Sequence, residues 1–254
     1  MPPNVAKLLK EANIPVKNVG IVVREINARP PLVNINGAKA MNPASTMKLL
    51  TTYAGLEILG PAYTWKTEAY INGTLDQGVL QGDLILKGYG DPKLTIEQFW
   101  LWLRELRERG LREIRGNLVL DRSAFSHEPV DPAAFDSEPT RPYNVGPDAL
   151  LLNFNALRLR FVPEGESIRV TSEPPLANIV MENRVSATAQ AVNCSQWDDN
   201  ISARMDGESI IVQGSFPVQC GECAQHVCLL PHPQYVYSVF RALWQEMGGS
   251  LAGE

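Results

Sequence analysis

Asn42-Pro43-Ala44-Ser45-Thr46-Met47-Lys48-Leu49-Leu50-Thr51 is the stretch on which the reading of this chain turns. From Thr46 to Leu59 it is dense in good helix formers, and Gly60-Pro61 stops it, so the pattern predicts a helix with Ser45 at its first turn. On a helix, positions i and i+3 share a face, which brings the Lys48 amine within reach of the Ser45 hydroxyl. The first turn also gathers unpaired N–H groups and the positive end of the helix dipole, both favourable to developing negative charge. To accept the serine proton Lys48 must be neutral, which calls for desolvation or a second cation nearby. The plain structural alternative is Ser45 as a helix N-cap and Lys48 as a solvated first-turn lysine.

Other catalytic patterns fit poorly. There is no Gly-x-Ser-x-Gly elbow, no His-Glu-x-x-His and no P-loop, and the chain has 3 histidines. His127 and His232 neighbour prolines in expected loops and read as solvated surface histidines. Gly88-Tyr89-Gly90-Asp91 lacks the third glycine of a dinucleotide fingerprint, and its acid would repel phosphate, so it reads as a structural turn.

Around the Ser45 helix the pattern is mixed α and β. Val5 to Ala12 reads as a short helix. Val19 to Arg24 and Leu32 to Gly37 read as a strand and its return across Pro30-Pro31. Lys66 to Lys87 reads as a meander of short strands broken at Asn72-Gly73, Gln77-Gly78 and Gln81-Gly82. Thr95 with Gln98 forms a capping box for a helix whose apolar face is Ile96, Phe99, Trp100, Leu103 and Leu106. Asn117 to Leu120 is a further strand, and Ser126 to Pro147 a long loop rich in Pro and Asp. From Ala149 to about Gly214 the pattern is nearly all β, with strands at 150–161, 167–171, 201–204 and 210–212. A last helix covers Gln234 to Met247.

The chain has 254 residues, 44% of them apolar and 20% charged, enough for a sizeable core. With 28 acidic against 23 basic residues the net charge is −5, which argues against a nucleic-acid partner. No apolar run approaches the roughly 18 residues of a membrane span. The 4 cysteines, Cys194, Cys220, Cys223 and Cys228, cluster in the last quarter. Such a set suits two disulfides in an oxidising compartment. The competing reading is zinc, from Cys220-Gly-Glu-Cys223 with His226 nearby.

Taken in order along the chain, four segments carry a resemblance. Asn42 to Thr51 resembles the nucleophile motif of the class C low-molecular-mass penicillin-binding proteins, the D-alanyl-D-alanine carboxypeptidase/endopeptidase family. Gly88-Tyr89-Gly90-Asp91-Pro92-Lys93-Leu94 resembles that family's Gly-x-Gly-Asp-Pro-x-Leu segment. Arg141-Pro142-Tyr143-Asn144 and Ala149-Leu150-Leu151-Leu152-Asn153-Phe154-Asn155 resemble its next landmarks.

The resemblance implies an α+β fold in which a transpeptidase-like domain of helices around an antiparallel sheet is interrupted by an inserted domain, itself carrying a nested β-rich domain. The expected boundaries are 1–62 and 231–254 for an incomplete first domain, 63–148 and 214–230 for the insertion, and 149–213 for the nested module. It implies Ser45 as nucleophile and Lys48 as its base, acting on peptidoglycan stem peptides through an acyl-enzyme, with β-lactam antibiotics as mimics that acylate Ser45. In the loop from Asp136 to Tyr143, an acid five positions before an aromatic is expected to meet the amine of the peptide's diamino acid. That acid is Glu138, with Asp136 the near alternative, and a solvated acidic loop is the plain reading. No metal or cofactor is implied. The setting is periplasmic or otherwise extracytoplasmic, with disulfides most simply Cys194–Cys220 and Cys223–Cys228.

The family also uses Ser-x-Asn and Lys-Thr-Gly, and neither tripeptide occurs in these residues. The expectation is therefore the N-terminal part of a longer enzyme, nearly inert by itself. Its first domain would expose a sheet edge and an apolar face, which favours a homodimer or aggregation. The alternative function is a non-catalytic protein that binds a cell-wall peptide or a partner.

Overall fold

A computed structural model describes residues 1–126, 129–190 and 193–254. His127 lies outside the described residues. The chain forms two compact units, Met1–Tyr63 and Thr64–Glu254.

The first unit holds α1 (Pro3–Glu11), the antiparallel pair β1 (Ile21–Val23) and β2 (Val33–Ile35), and α2 (Met47–Leu59). Asn36 Nδ2 donates to the carbonyls of Val16 and Val19 at 2.9 and 2.8 Å and pins the turn before β1 to the end of β2. No residue of this unit is fully buried. Leu49, Leu50 and Ile58 on α2 are 75%, 61% and 80% exposed, so the apolar side chains that make this helix stand in solvent.

The second unit begins with β3 (Thr67–Asp76) and β4 (Val79–Gly88), then α3 (Ile96–Glu108), β5 (Glu113–Ile114) and β6 (Leu118–Asp121). The expected meander is instead one long antiparallel hairpin, turned only at Gln77-Gly78. Gly73 and Gly82 are not turns. They face each other across the two strands, with φ of 145° and 152°, and a Cβ on either would strike the partner's backbone. On α3 the Thr95 hydroxyl accepts from the Gln98 N–H, and Phe99 and Leu103 are buried, as the capping and apolar spacing require.

A six-stranded sheet follows, ordered β10-β11-β9-β8-β7-β12, where β7 is Leu157–Glu164, β8 Ser167–Glu173, β9 Val180–Thr188, β10 Ile201–Asp206, β11 Ser209–Pro217 and β12 Cys223–Val227. Only the β9–β11 pairing is parallel in this sheet. The strands β9 and β12 are absent from the sequence reading, because Glu182, Asn183, Arg184 and His226 break any apolar alternation. The β-rich module therefore runs to Val227, past the expected limit at 213.

The last helix, α4 (His232–Glu246), is where the pattern placed it but not in the expected unit. It belongs to the second unit. Tyr235, Val236, Val239, Phe240, Leu243 and Trp244 are buried in the core of the second unit, and β13 (Ser250–Leu251) pairs in parallel with β5. Helical spacing predicts an apolar stripe but carries no information about which surface will cover it. The core here is made by Trp244, Tyr235, Phe99, Phe161, Phe216 and Phe240 together with the leucines of β4.

Candidate active site

Ser45 sits two positions before α2, in a 3-10 turn formed by Ala44–Thr46. The turn is built locally. Asn42 Oδ1 accepts from the Ala44 N–H at 2.9 Å, the Thr46 N–H donates to the Pro43 carbonyl at 2.9 Å, and the Thr46 hydroxyl donates to that same carbonyl. Ala44 is held at φ 43°, a left-handed conformation unusual for alanine, directly before Ser45. One helical turn then lifts Lys48 back over the serine, with Nζ 2.9 Å from Ser45 Oγ. The Thr52 and Thr51 hydroxyls bond the carbonyls of Lys48 and Met47, which keeps this face of the helix polar. The chemical content is a hydroxyl and an amine within proton-transfer distance. Ser-x-x-Lys spacing foretells that contact. The strained Ala44 was missed, and the Asn42-Pro43 dipeptide, a turn initiator, is the signal for it.

In the loop of the second unit, Asp136 is tied internally. It accepts from Tyr143 Oη and Asn144 Nδ2, both at 2.7 Å, and from the Glu138 N–H at 3.0 Å. The Tyr143 hydrogen bond holds the Asp136 carboxyl below its ordinary value and raises the tyrosine in turn. Among the described residues Glu138 carries a single, looser ion pair, to Arg141 at 3.7 Å, while its carbonyl accepts from Asn144 at 2.9 Å. Asp136 is thus the brace of the loop and Glu138 the carboxylate it presents.

The two remaining motif segments come together. The Gly90 N–H donates to the Ala149 carbonyl at 2.7 Å and the Asn153 N–H to the Leu94 carbonyl at 2.8 Å, so Gly88–Leu94 and Ala149–Asn155 are stitched edge to edge. Gly90 has φ 83° and abuts the Phe125 ring, the structural turn expected of it. The Tyr89 hydroxyl donates to Glu68 at 2.8 Å, and Tyr70 donates to the same carboxylate at 2.7 Å.

Cys194 and Cys220 form a disulfide, whereas Cys223 and Cys228 are free thiols. The expected second bridge fails on geometry. Cys223 starts β12 and Cys228 directly follows its end, so five extended residue steps put them about 17 Å apart, far beyond the Cα spacing a disulfide spans. The zinc reading loses Cys220 to the disulfide, and among the described residues no group of three or more His, Cys, Asp or Glu side chains is placed to hold a metal. His232 is also corrected: it opens α4 half-buried rather than lying solvated in a loop, and burial lowers its pKa against the opposing pull of Asp148.

The sequence profile of the D-Ala-D-Ala carboxypeptidase 3 (S13) family matches residues 2–254. The chain belongs to that family. Within it, the D-alanyl-D-alanine carboxypeptidase DacB of Haemophilus influenzae is 38% identical over 109 residues, 43% of this chain and 23% of that protein. A D-alanyl-D-alanine carboxypeptidase of Actinomadura sp. is 34% identical over 109 residues, again 43% of this chain, and 20% of that protein. The penicillin-sensitive carboxypeptidase A of Dictyostelium discoideum is 24% identical over 87% of this chain, and the match covers 45% of its own length. In structure, penicillin binding protein 4 (dacB) of Haemophilus influenzae superposes with a TM-score of 0.74 at 24% identity, covering 98% of this chain and 56% of that one. That likeness carries the α+β fold of a low-molecular-mass class C penicillin-binding protein. This S13 chain thus spans about half the length of the solved relative, and less of the bacterial enzymes it matches in sequence.

Proposed function

We propose that this chain supplies the nucleophile of a serine-type D-alanyl-D-alanine carboxypeptidase/endopeptidase that acts on peptidoglycan stem peptides through an acyl-enzyme. The single observation that carries it is the 2.9 Å contact between Lys48 Nζ and Ser45 Oγ. With Lys48 neutral, the serine proton passes to Nζ as Oγ attacks the carbonyl carbon of the D-Ala-D-Ala bond. The Ser45 N–H, in the turn that opens α2, would serve as one oxyanion donor. The proton then goes to the departing amine of D-alanine, and water hydrolyses the ester. β-Lactams would acylate the same oxygen, and a related structure was solved in complex with a novel β-lactam. The Cys194–Cys220 disulfide supports an extracytoplasmic setting.

Neither Ser-x-Asn nor Lys-Thr-Gly, whose strand would supply a second oxyanion donor, occurs in these 254 residues. One such donor is worth about 100- to 1000-fold in rate, so turnover by this polypeptide alone is expected to be nearly nil. The alternative reading is a non-catalytic binder of wall peptides. Intact mass after incubation with a β-lactam separates them, run on this chain, on a longer polypeptide carrying all three motifs, and on Ser45→Ala versions of both. An adduct on the longer protein that disappears in Ser45→Ala supports the enzyme. No adduct there, or one that survives Ser45→Ala, overturns it.

A further inference from the structure

Between Arg104 and Arg115 the chain carries five arginines, Arg104, Arg107, Arg109, Arg112 and Arg115, against three glutamates, Glu105, Glu108 and Glu113. The glutamates are all taken: Glu108 pairs with Arg104 at 3.1 Å, Glu105 with Arg109 at 2.6 Å and Glu113 with Arg115 at 2.8 Å. Among the described residues Arg107 and Arg112 have no carboxylate partner. Both line one cleft of about 360 Å³, completed by Trp100, Arg104 and Glu108 of α3 and by Met247 at the end of α4. Arg107 is fixed there. It donates from Nη1 to the Arg112 carbonyl at 3.1 Å and from Nη2 to the Gly248 carbonyl at 3.2 Å, and its guanidinium lies 5.3 Å from the centre of the Trp244 ring. Those bonds occupy two N–H groups without bringing a negative ion. Burial lowers the Arg107 pKa and the Arg112 charge lowers it further, as two like charges near one another require. The carbonyl ends of α3 and α4 return about half a negative charge each. About one positive charge is left uncompensated, in a chain whose net charge is −5.

We propose that this cleft binds a phosphate monoester, its phosphate on Arg107 and Arg112 and its organic part against Trp100 and Met247. Nothing in this depends on Ser45 or on turnover. A guanidinium offers its N–H groups as a planar fork that matches the oxygens of an oxyanion. The two oxygens of a carboxylate fill one fork, whereas the three terminal oxygens of a phosphate accept from both. The phosphate charge of about −1.5 to −2 at neutral pH meets an excess that an uncharged ligand would leave in place. Arg104 stays on Glu108 and over the Trp100 ring, 5.8 Å from its centre, so it braces the wall rather than adding a free charge. The volume of the cleft is in the range of small-molecule sites. A soluble ester and a lipid headgroup both carry this group, so the test must tell them apart.

The test is calorimetric titration of this chain with phenyl phosphate, inorganic phosphate and benzoate, beside flotation with phosphatidylcholine vesicles with and without phosphatidic acid. Phenyl phosphate should bind one to one. Inorganic phosphate, without the ring, and benzoate, with a single charge, should each bind at least about tenfold more weakly. Phenyl phosphate binding without recruitment to phosphatidic acid assigns a soluble ester; recruitment that phenyl phosphate competes away assigns a headgroup. Arg112→Gln should weaken phenyl phosphate at least about tenfold, the worth of one charge-assisted hydrogen bond. Because it also relieves the repulsion on Arg107, it should unfold no earlier than the parent on heating. Arg112→Lys keeps the charge but not the fork, and should recover only part of the loss. Arg109→Gln lies in the same run, outside the cleft and paired with Glu105, and should leave binding unchanged. No saturable heat with phenyl phosphate at millimolar concentration overturns the proposal. So does equal affinity for benzoate or for inorganic phosphate, an Arg112→Gln chain that binds as the parent does, or an equal loss in Arg109→Gln.

Discussion

Arg122 grips Asp148 with its Nε at 3.0 and 2.9 Å from the two carboxylate oxygens and a terminal N–H on Oδ2, and only 2% of the aspartate side chain is exposed. The Leu150 N–H adds a third donor at 2.9 Å. Burial alone would raise the carboxyl, but these hydrogen bonds outweigh it and hold its pKa below the ordinary value. Removing the arginine leaves a buried charge unmatched, so Arg122→Ala should cost about 3 kcal/mol in urea unfolding. Arg122→Lys should rescue little of this, because a point charge cannot reproduce the fork. A depressed aspartate pKa stabilises the fold above the unfolded value of about 3.9, and that contribution is lost as pH falls through the lowered folded value.

His232 sets a second, milder pH dependence. Burial and Arg122 lower its pKa, while Asp148 and a hydrogen bond with the Gly146 backbone oppose them. A histidine held neutral in the fold is protonated first in the unfolded chain. Its contribution is therefore complete above the unfolded pKa of about 6.5 and declines as pH drops below it. Urea midpoints measured from pH 7.5 down to 5 should fall, and His232→Gln should flatten that slope. An unchanged slope would mean other groups dominate.

Gly73 and Gly82 make the third prediction. Each has a backbone that L-residues rarely adopt, and each leaves no room for a Cβ against the opposite strand. Either Gly→Ala change should destabilise the second unit by about 2 kcal/mol, whereas Gly165→Ala, in an open turn with φ 65°, should cost about 1. Denaturant titration of the three variants gives the ranking. The hairpin also shows why Asn72-Gly73 and Gln81-Gly82 misled the reading: Asn-Gly marks a turn only when its glycine is not needed for close cross-strand approach.

What was legible followed from local chemistry. The α2 limits, the Thr95 cap of α3, the Gly248 end of α4 and the Ser45–Lys48 contact each rest on residues within a few positions of one another. What was not legible rests on distant partners. Strand β9 has no apolar alternation and exists because β11 pairs beside it in parallel, 29 positions on. The burial of α4 in the core that also holds Phe99 and the β4 leucines is likewise set by distant neighbours.

The thiol count is the fourth test. Denatured, unreduced protein should titrate two free thiols, Cys223 and Cys228, rather than the none that two bridges would leave. The Cys194–Cys220 bridge closes a loop across a sequence separation of 26. By loop-closure entropy it is worth about 3.5 kcal/mol, so the Cys194→Ser/Cys220→Ser double variant should lose between 2 and 4 in urea. A zero thiol count would require β12 to be rebuilt, because its extended backbone keeps the last two sulfurs apart.

The loop carboxylates can be separated by the kind of substrate they affect. Asp136 spends its oxygens on Tyr143, Asn144 and the Glu138 N–H, so it acts through the loop rather than on a ligand. Asp136→Asn weakens those bonds and should lower cleavage of all stem peptides together, in a polypeptide that carries Ser-x-Asn and Lys-Thr-Gly as well. Tyr143→Phe, which removes one of the same bonds, should behave alike. Among the described residues the Glu138 carboxylate makes only the 3.7 Å pair with Arg141, which an incoming ammonium can displace. Glu138→Gln should therefore raise KM about tenfold for peptides with a free side-chain amine, the worth of one charge-assisted hydrogen bond of about 1.5 kcal/mol, and leave amidated or acetylated versions unaffected. If Glu138→Gln lowers both kinds equally, Glu138 is another brace of the loop. If neither substitution discriminates, the loop is a solvated acidic surface and the amine is recognised elsewhere.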